Sequence, residues 1–269
     1  MELSVEDVKK YQLDILKVVD AFCKEKGIRY FMGYGTLLGA VRHQGYIPWD
    51  DDIDIVMLRK DYDLFVKEFN HNDSNAYELL HSSNSKDFPY EFAKVHNKRT
   101  FLKEESAIEH DMGINIDVFV LDGVGDEKAY AYEIAKKTKK YEKILSWKYL
   151  IPNSKKKRPI HKAIGVAFLK MLSKTKTIHE CTSKVDQIVK KYSKEGKYIA
   201  DICQAYFGEQ EILEKSWFNE TIELAFEDCK FIAPKEYDKI LTTWYGDYMQ
   251  PPTIEHQVTH HSFIAYTKE

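Results

Sequence analysis

The sequence predicts an α/β fold, a small mixed sheet flanked by helices with a mainly helical C-terminal region after it. Three observations predict it. Asp52-Ile53-Asp54-Ile55-Val56 alternates acid and aliphatic, the period of a strand with one apolar face. Residues 114–121 form a second strand-length run, apolar except for Asn115 and Asp117. Leu13, Leu16, Val19 and Phe22 recur at helical spacing, the stripe of a helix that covers a sheet.

In chain order, residues 1–27 read as that helix, with Ser4 and Asp7 as an N-cap pair and Gly27 as a C-cap. A β-like run at 28–32 leads into the turn Gly33-Tyr34-Gly35-Thr36, and a short helix pattern covers 37–42. A Gly-rich turn entering a helix presents backbone N–H groups to a phosphate. Residues 60–69 are helical, 71–75 a polar turn, and 77–80, 90–95 and 101–102 strands, with Lys94 inside the second. Asp122 with Gly123 reads as a turn cap. From 136 to 176 there are fourteen Lys or Arg and a single acid, Glu142, interleaved with apolar residues and broken by the basic turn 154–159. Such a basic, amphipathic pair of helices suits an anionic membrane surface or a solvated face. Residues 177–195 are helical, and 198–206 are ambiguous. Residues 217–218 and 222–226 read as short strands, and Pro234 as the start of a helix carrying Tyr237, Ile240, Leu241 and Trp244. Pro251-Pro252 then fixes an extended tail. The expected division is an α/β core over 1–125, a mainly helical region over 126–243, and a tail over 244–269.

The chain has 269 residues and a net charge of −3, which disfavours a dedicated nucleic-acid binder. Cys23, Cys181, Cys203 and Cys229 lie far apart, so neither a zinc site nor a disulfide framework is expected. No leader and no membrane-spanning apolar run are read. The expected location is cytoplasmic, with peripheral contact at the inner face of the membrane.

The chemistry concentrates in residues 28–57. On a strand, Asp52 and Asp54 share a face, and two such carboxylates repel unless a cation neutralises them. Mg²⁺, with Mn²⁺ as an alternative, suits oxygen ligands of this kind. Asp50 shares their parity. A calcium loop opening at Asp50 would need Gly and Glu where Ile55 and Asp61 stand. A solvated capping turn is disfavoured by the strict alternation into an apolar strand. Asp117 is costly within its apolar run unless paired or metal-bound.

The string GTLLGAVRHQGYIPWDDDIDI, residues 35–55, resembles the LicD family in the fukutin-like branch of the nucleotidyltransferase superfamily. The run from Ile116 to Asp122 is similar to the family's Ile-Asp-Val-Phe-Pro-Leu-Asp, with Val120 in place of Pro. Tyr245-Gly246-Asp247-Tyr248, the paired prolines and a following His resemble its ending. The resemblance implies a nucleotidyltransferase-like sheet and transfer of phosphocholine from CDP-choline. The implied acceptor is a sugar hydroxyl of teichoic acid or another surface-glycan precursor, carried on a lipid. It implies metal ligation by Asp52, Asp54 and Asp117, with one of them as base. Gly35 and Thr36 would hold the leaving phosphate, and Arg42 and Lys94 would add charge. Asp50, Trp49 and His261 would contact substrate, and His260 would act in catalysis. Tyr34, Tyr46 and Trp49 are candidate faces for a quaternary ammonium. Transfer of a polyol phosphate or a nucleotide by the same machinery, or an inactive membrane-surface scaffold, are the alternatives.

Overall fold

The structure is a computed structural model that describes residues 1–71, 76–104, 111–149, 160–203, 207–259 and 263–268. The elements run α1 (Val5–Lys26), β1 (Phe31–Met32), α2 (Tyr34–His43), β2 (Asp54–Leu58), α3 (Arg59–Glu68), β3 (Tyr77–Leu80), β4 (Ala93–Asn97), β5 (Thr100–Glu104) and β6 (Asn115–Gly125). They continue with α4 (Lys128–Tyr149), α5 (Ile160–Ser173), α6 (Ile178–Tyr192), β7 (Tyr198–Ala200), β8 (Ile212–Glu214), β9 (Thr221–Phe226), β10 (Cys229–Pro234), α7 (Tyr237–Tyr245) and β11 (Phe263–Thr267).

Helix α1 is capped as its sequence requires. Ser4 Oγ accepts the Asp7 N–H at 3.2 Å, the Asp7 carboxylate returns to Ser4, and Gly27 closes the helix in the left-handed region at φ 65°. Its apolar stripe, Leu16 and Val19 among others, joins one core with Ile116, Val118 and Val120 of β6. The mixed sheet has the order β1-β2-β6-β4-β3, with β2 and β6 parallel and the other pairs antiparallel. The far end of the long β6 pairs with β7, and β7 with β8. Alternation along β6 places Ile116, Val118 and Val120 on the core face and Asp117 and Phe119 on the other.

Two C-terminal pieces hold this sheet. Hairpin β9–β10 reaches α2 with its tip, where Glu227 has φ 55°. The Glu227 carboxylate accepts the Tyr46 N–H at 3.1 Å, and its own N–H donates to the Gln44 carbonyl at 2.8 Å. A Cβ at Gly45 would clash with Glu227 Oε1, so any larger residue there would displace that carboxylate. Strand β11 pairs antiparallel with β5 and brings the chain end back to the sheet.

Several local expectations are corrected. Strand β2 begins at Asp54, so Asp52 precedes it in an extended lead, and α2 begins at Tyr34, so Gly35 and Thr36 lie in its first turn. Trp217 and Phe218 sit in a 3-10 turn, where Phe218 packs edge-on against Phe31 at 5.2 Å. Pro234 ends β10, and the helix starts at Tyr237. Asp122 lies inside β6 and caps no turn: its two oxygens take Arg59 Nε and Nη2, each at 2.7 Å, a bidentate pair that offsets the cost of burying both charges. The turn at 72–75 and the basic turn at 154–159 lie outside the described residues.

Candidate active site

Three strands bring three charged groups into one row. Asp54 of β2 is the register partner of Asp117 on β6, and Asp117 is the partner of Lys94 on β4. Register partners share a face, so the side chains stand side by side. Lys94 Nζ lies 2.6 Å from an Asp117 oxygen and donates to Asn115 Oδ1 at 3.2 Å. Asp52, two residues before Asp54, lines the same cavity as Asp54 and Asp117. Burial, and then the charges of Asp52, Asp117 and Asp50, push the Asp54 carboxyl well above the usual carboxylate range; Lys94 pulls the other way.

Helix α2 sets the edge of this row. Thr36 Oγ1 accepts the Asp54 N–H at 2.8 Å, and Thr36 is only 3% exposed. Its side-chain oxygen therefore positions the start of β2 and is not displayed as a phosphate ligand. A Cβ on Gly35 would stand 2.7 Å from Asp50 Oδ2. A carboxylate thus lies against the helix turn that the sequence assigns to a phosphate. Asp51, of the other parity, is buried; it accepts from Thr259 Oγ1 at 3.1 Å, and its carbonyl accepts from Gln12 Nε2 at 2.9 Å.

Two cavities open beside the row. The first, about 440 Å³, is lined by Tyr34, Tyr90, Phe92 and Phe119 together with Asp52, Asp54, Asp117, Glu91 and Asp201. Tyr34 has φ 40°, a strained value for a residue with a Cβ. Its ring stacks on Trp244 at 4.5 Å and meets Phe119 edge-on at 5.2 Å. Its hydroxyl lies 3.1 Å from Glu211 and 3.3 Å from Asp201. Burial, with the Asp201 charge behind it, pushes the Glu211 carboxyl up to about 7. Burial pushes that of Glu91 up to about 8. The second cavity, about 390 Å³, is lined by Gly35, Arg42, Trp49, Asp50, Tyr245 and Tyr248 among others. Arg42 lies 5.9 Å over the Trp49 ring and donates to the Tyr248 carbonyl at 2.8 Å. A third cavity, about 440 Å³, runs along α4 past Lys139, Glu142, Lys143 and Tyr149 and shares Tyr90, Glu91 and Cys203 with the first.

The structure therefore brings together Asp52, Asp54, Asp117 and Lys94, with Gly35, Arg42, Trp49 and Asp50 in the adjoining cavity. Tyr46 is withdrawn as an aromatic wall: it is buried against Phe226, and its hydroxyl donates to the Lys9 carbonyl at 3.0 Å. His260 and His261 lie outside the described residues; their neighbour Thr259 reaches Asp51, and Pro252 and His256 line the second cavity. Sequence reading missed Tyr90, Phe92, Phe119, Asp201 and Glu211, and quoted Tyr245 and Tyr248 for the family-like ending without a role in the site. The parity of Phe119 with Asp117, and of Phe92 with Lys94, was the available signal. Among the described residues no three His, Cys, Asp or Glu groups form a ready-made metal centre, and no helix is long and apolar enough to cross a membrane.

Comparison with known proteins agrees with this geometry. Residues 27–128 match the family described as LicD/FKTN/FKRP, nucleotidyltransferase domain, a span that contains α2 and the whole carboxylate row. Over 278 aligned residues the chain is 31% identical to the lipopolysaccharide cholinephosphotransferase LicD of Haemophilus influenzae, covering 98% of each chain. A stretch of 68 residues is 43% identical to an uncharacterized protein, RP689, of Rickettsia prowazekii, 22% of this chain and 26% of that one. The likeness to the Haemophilus protein runs from end to end and takes in the sheet, both aromatic cavities and the returning tail: the chain belongs to the LicD family.

Proposed function

We propose that the protein is a phosphocholine transferase that moves the group from CDP-choline to a sugar hydroxyl of a surface-glycan precursor, teichoic acid being one such polymer. The observation that carries this reading is the carboxylate row of Asp52, Asp54 and Asp117 opening on a cavity of aromatic rings, in a chain alike over its whole length to a named cholinephosphotransferase.

The reaction follows from charge. The acceptor oxygen attacks the phosphorus that carries choline, the bond to the bridging oxygen breaks, and CMP leaves. A carboxylate of the row takes the hydroxyl proton. Lys94 and Arg42 offer positive charge to the diphosphate on the two sides of the row. An oxygen-only donor set fits Mg²⁺, or Mn²⁺, held by Asp52, Asp54 and Asp117, because a divalent charge would offset the burial and the carboxylate repulsion that together raise Asp54. Such an ion would take water and substrate phosphate as further ligands. When bound, it would neutralise charge growing on the attacking and leaving oxygens.

The cavity along α4 supports an acceptor approach, since it joins the first cavity at Tyr90 and presents Lys139 and Lys143. Helix α5 supports a lipid-linked acceptor: Ile164, Phe168 and Met171 are 65%, 54% and 58% exposed at helical spacing, with Lys170, Lys174 and Lys176 beside them.

Calorimetry with CDP-choline, CDP-ribitol and CDP-glycerol, with and without Mg²⁺, tests the donor. CDP-choline should bind best, with Mg²⁺ dependence, and CMP should be the product. Preference for a polyol donor would overturn the choline assignment and leave the carboxylate chemistry standing. The membrane reading expects the full chain to bind vesicles more tightly as anionic lipid rises and less tightly as salt rises; no binding at low salt removes it.

A further inference from the structure

The Tyr34 cavity contains more than phosphoryl transfer alone requires. Four rings form a continuous arc: Tyr90 meets Phe92 at 5.2 Å, Phe92 meets Phe119 at 4.4 Å, and Phe119 meets Tyr34 at 5.2 Å. The described lining carries five carboxyl groups and no Lys or Arg. Nearby, Lys94 Nζ lies 4.6 Å from the Tyr90 centroid and 5.5 Å from that of Phe92, so these faces already serve a cation. That lysine is neutralised by Asp117 at 2.6 Å. Asp201, 3% exposed, holds the far wall: it accepts the Cys203 N–H at 3.1 Å and stands 3.3 Å from the Tyr34 hydroxyl. The strained backbone of Tyr34 is held in place by Trp244, Glu211 and Asp201, the pattern of a residue whose position is set by its surroundings for a task.

A quaternary ammonium donates no hydrogen bond. It is recognised by ring faces and by carboxylates at contact distance. The first cavity offers both. The second offers rings as well, but its lining sets Arg42 over Trp49 with two carboxyl groups, Asp50 and Asp247, where the first has five and its neighbouring Lys94 is paired with Asp117.

We propose that the cavity of Tyr34, Tyr90, Phe92 and Phe119, with Asp201 and Glu91 on its wall, is the subsite for the trimethylammonium head group of the donor and sets its selectivity. This rests on the CDP-choline reading above. It orients the donor with choline among the four rings, its diphosphate along the carboxylate row and Lys94, and cytidine toward Arg42 and Trp49.

The test compares CDP-choline with the CDP ester of 3,3-dimethylbutanol, which has the same shape without the charge. Wild type should bind CDP-choline about tenfold more tightly than the neutral ester, and Phe92→Leu and Asp201→Asn should each erase most of that preference. CMP affinity should be unchanged in both variants, which also verifies that the site is folded. A variant that loses CMP binding is replaced by Tyr90→Leu under the same criterion. If wild type prefers CDP-choline and these variants keep the preference while Trp49→Leu loses it, the head group lies in the second cavity and the proposal is overturned. If wild type binds CMP but does not bind CDP-choline, the donor reading itself falls, a result distinct from the first.

Discussion

The two cavities that meet at the start of α2 are both aromatic, yet they differ in charge balance: the described lining of the first has five carboxyl groups and no Lys or Arg, whereas that of the second sets Arg42 against two, Asp50 and Asp247. Tyr34 opens on a lining of carboxyl groups, while its neighbour Gly35 opens on Arg42 lying over Trp49. Ring content alone does not distinguish them; the balance of acids and cations in the lining does. For the donor proposed above, reversal would set its ammonium against the Arg42 guanidinium, which disfavours that orientation.

The strongest way to break this comparison is at the row between the cavities. Asp54→Asn should reduce transfer by about 10³-fold or more with saturating Mg²⁺, by loss of charge stabilisation in the transition state. The metal-free variant should also be more stable. An unfolded aspartate ionises near pH 3.9. Folded Asp54 keeps its proton to higher pH. From that unfolded value up to the raised one, the native state binds more protons than the unfolded state, so wild-type stability falls as pH rises. Thermal melts should therefore show the variant above wild type at neutral pH, with the gap closing in acid. Wild-type turnover by the variant would end the row's role in the chemistry.

A smaller effect sharpens the contrast. Arg42→Gln should weaken CMP binding by about tenfold, the worth of a charge-assisted contact, while leaving the preference for CDP-choline over its neutral ester intact. Loss of that preference with CMP affinity retained would exchange the roles of the two cavities.

The smallest effect lies outside both cavities. Glu227→Ala removes the acceptor of the Tyr46 N–H and should cost about 1–2 kcal/mol, or about 2–6 °C in melting temperature, with donor preference unchanged. A change of donor preference would show that the loop leading to Trp49 transmits shape to the site.

What the sequence disclosed follows the range of the forces involved. The caps of α1 are set by residues three positions apart, and both are read directly from Ser4, Asp7 and Gly27. The facing of Asp54 and Asp117 follows from strand parity, although the extended lead holding Asp52 was read as part of the strand. Asp122 looked like a turn cap because Gly123 follows it; its actual partner, Arg59, lies 63 positions away. Asp201 and Glu211 were not legible for the same reason: they matter through Tyr34, 167 and 177 positions earlier. Strand β10 was missed because Cys229 and Lys230 break the apolar alternation, and its pairing with β9 supplies what its own composition does not.

The clamp at the tip of the β9–β10 hairpin also dictates an order of events in the making of the protein. Glu227 and Tyr46 are 181 positions apart, so the loop ahead of Trp49 has left the ribosome long before its anchor is synthesised. The carboxyl-bearing edge of the site must wait, with Phe31 lacking its late partner Phe218. Closing so long a loop is slow, and the waiting chain exposes apolar strand surface. A chain stalled before residue 218 would thus carry every acid of the row and neither late partner, one that chaperones have reason to hold.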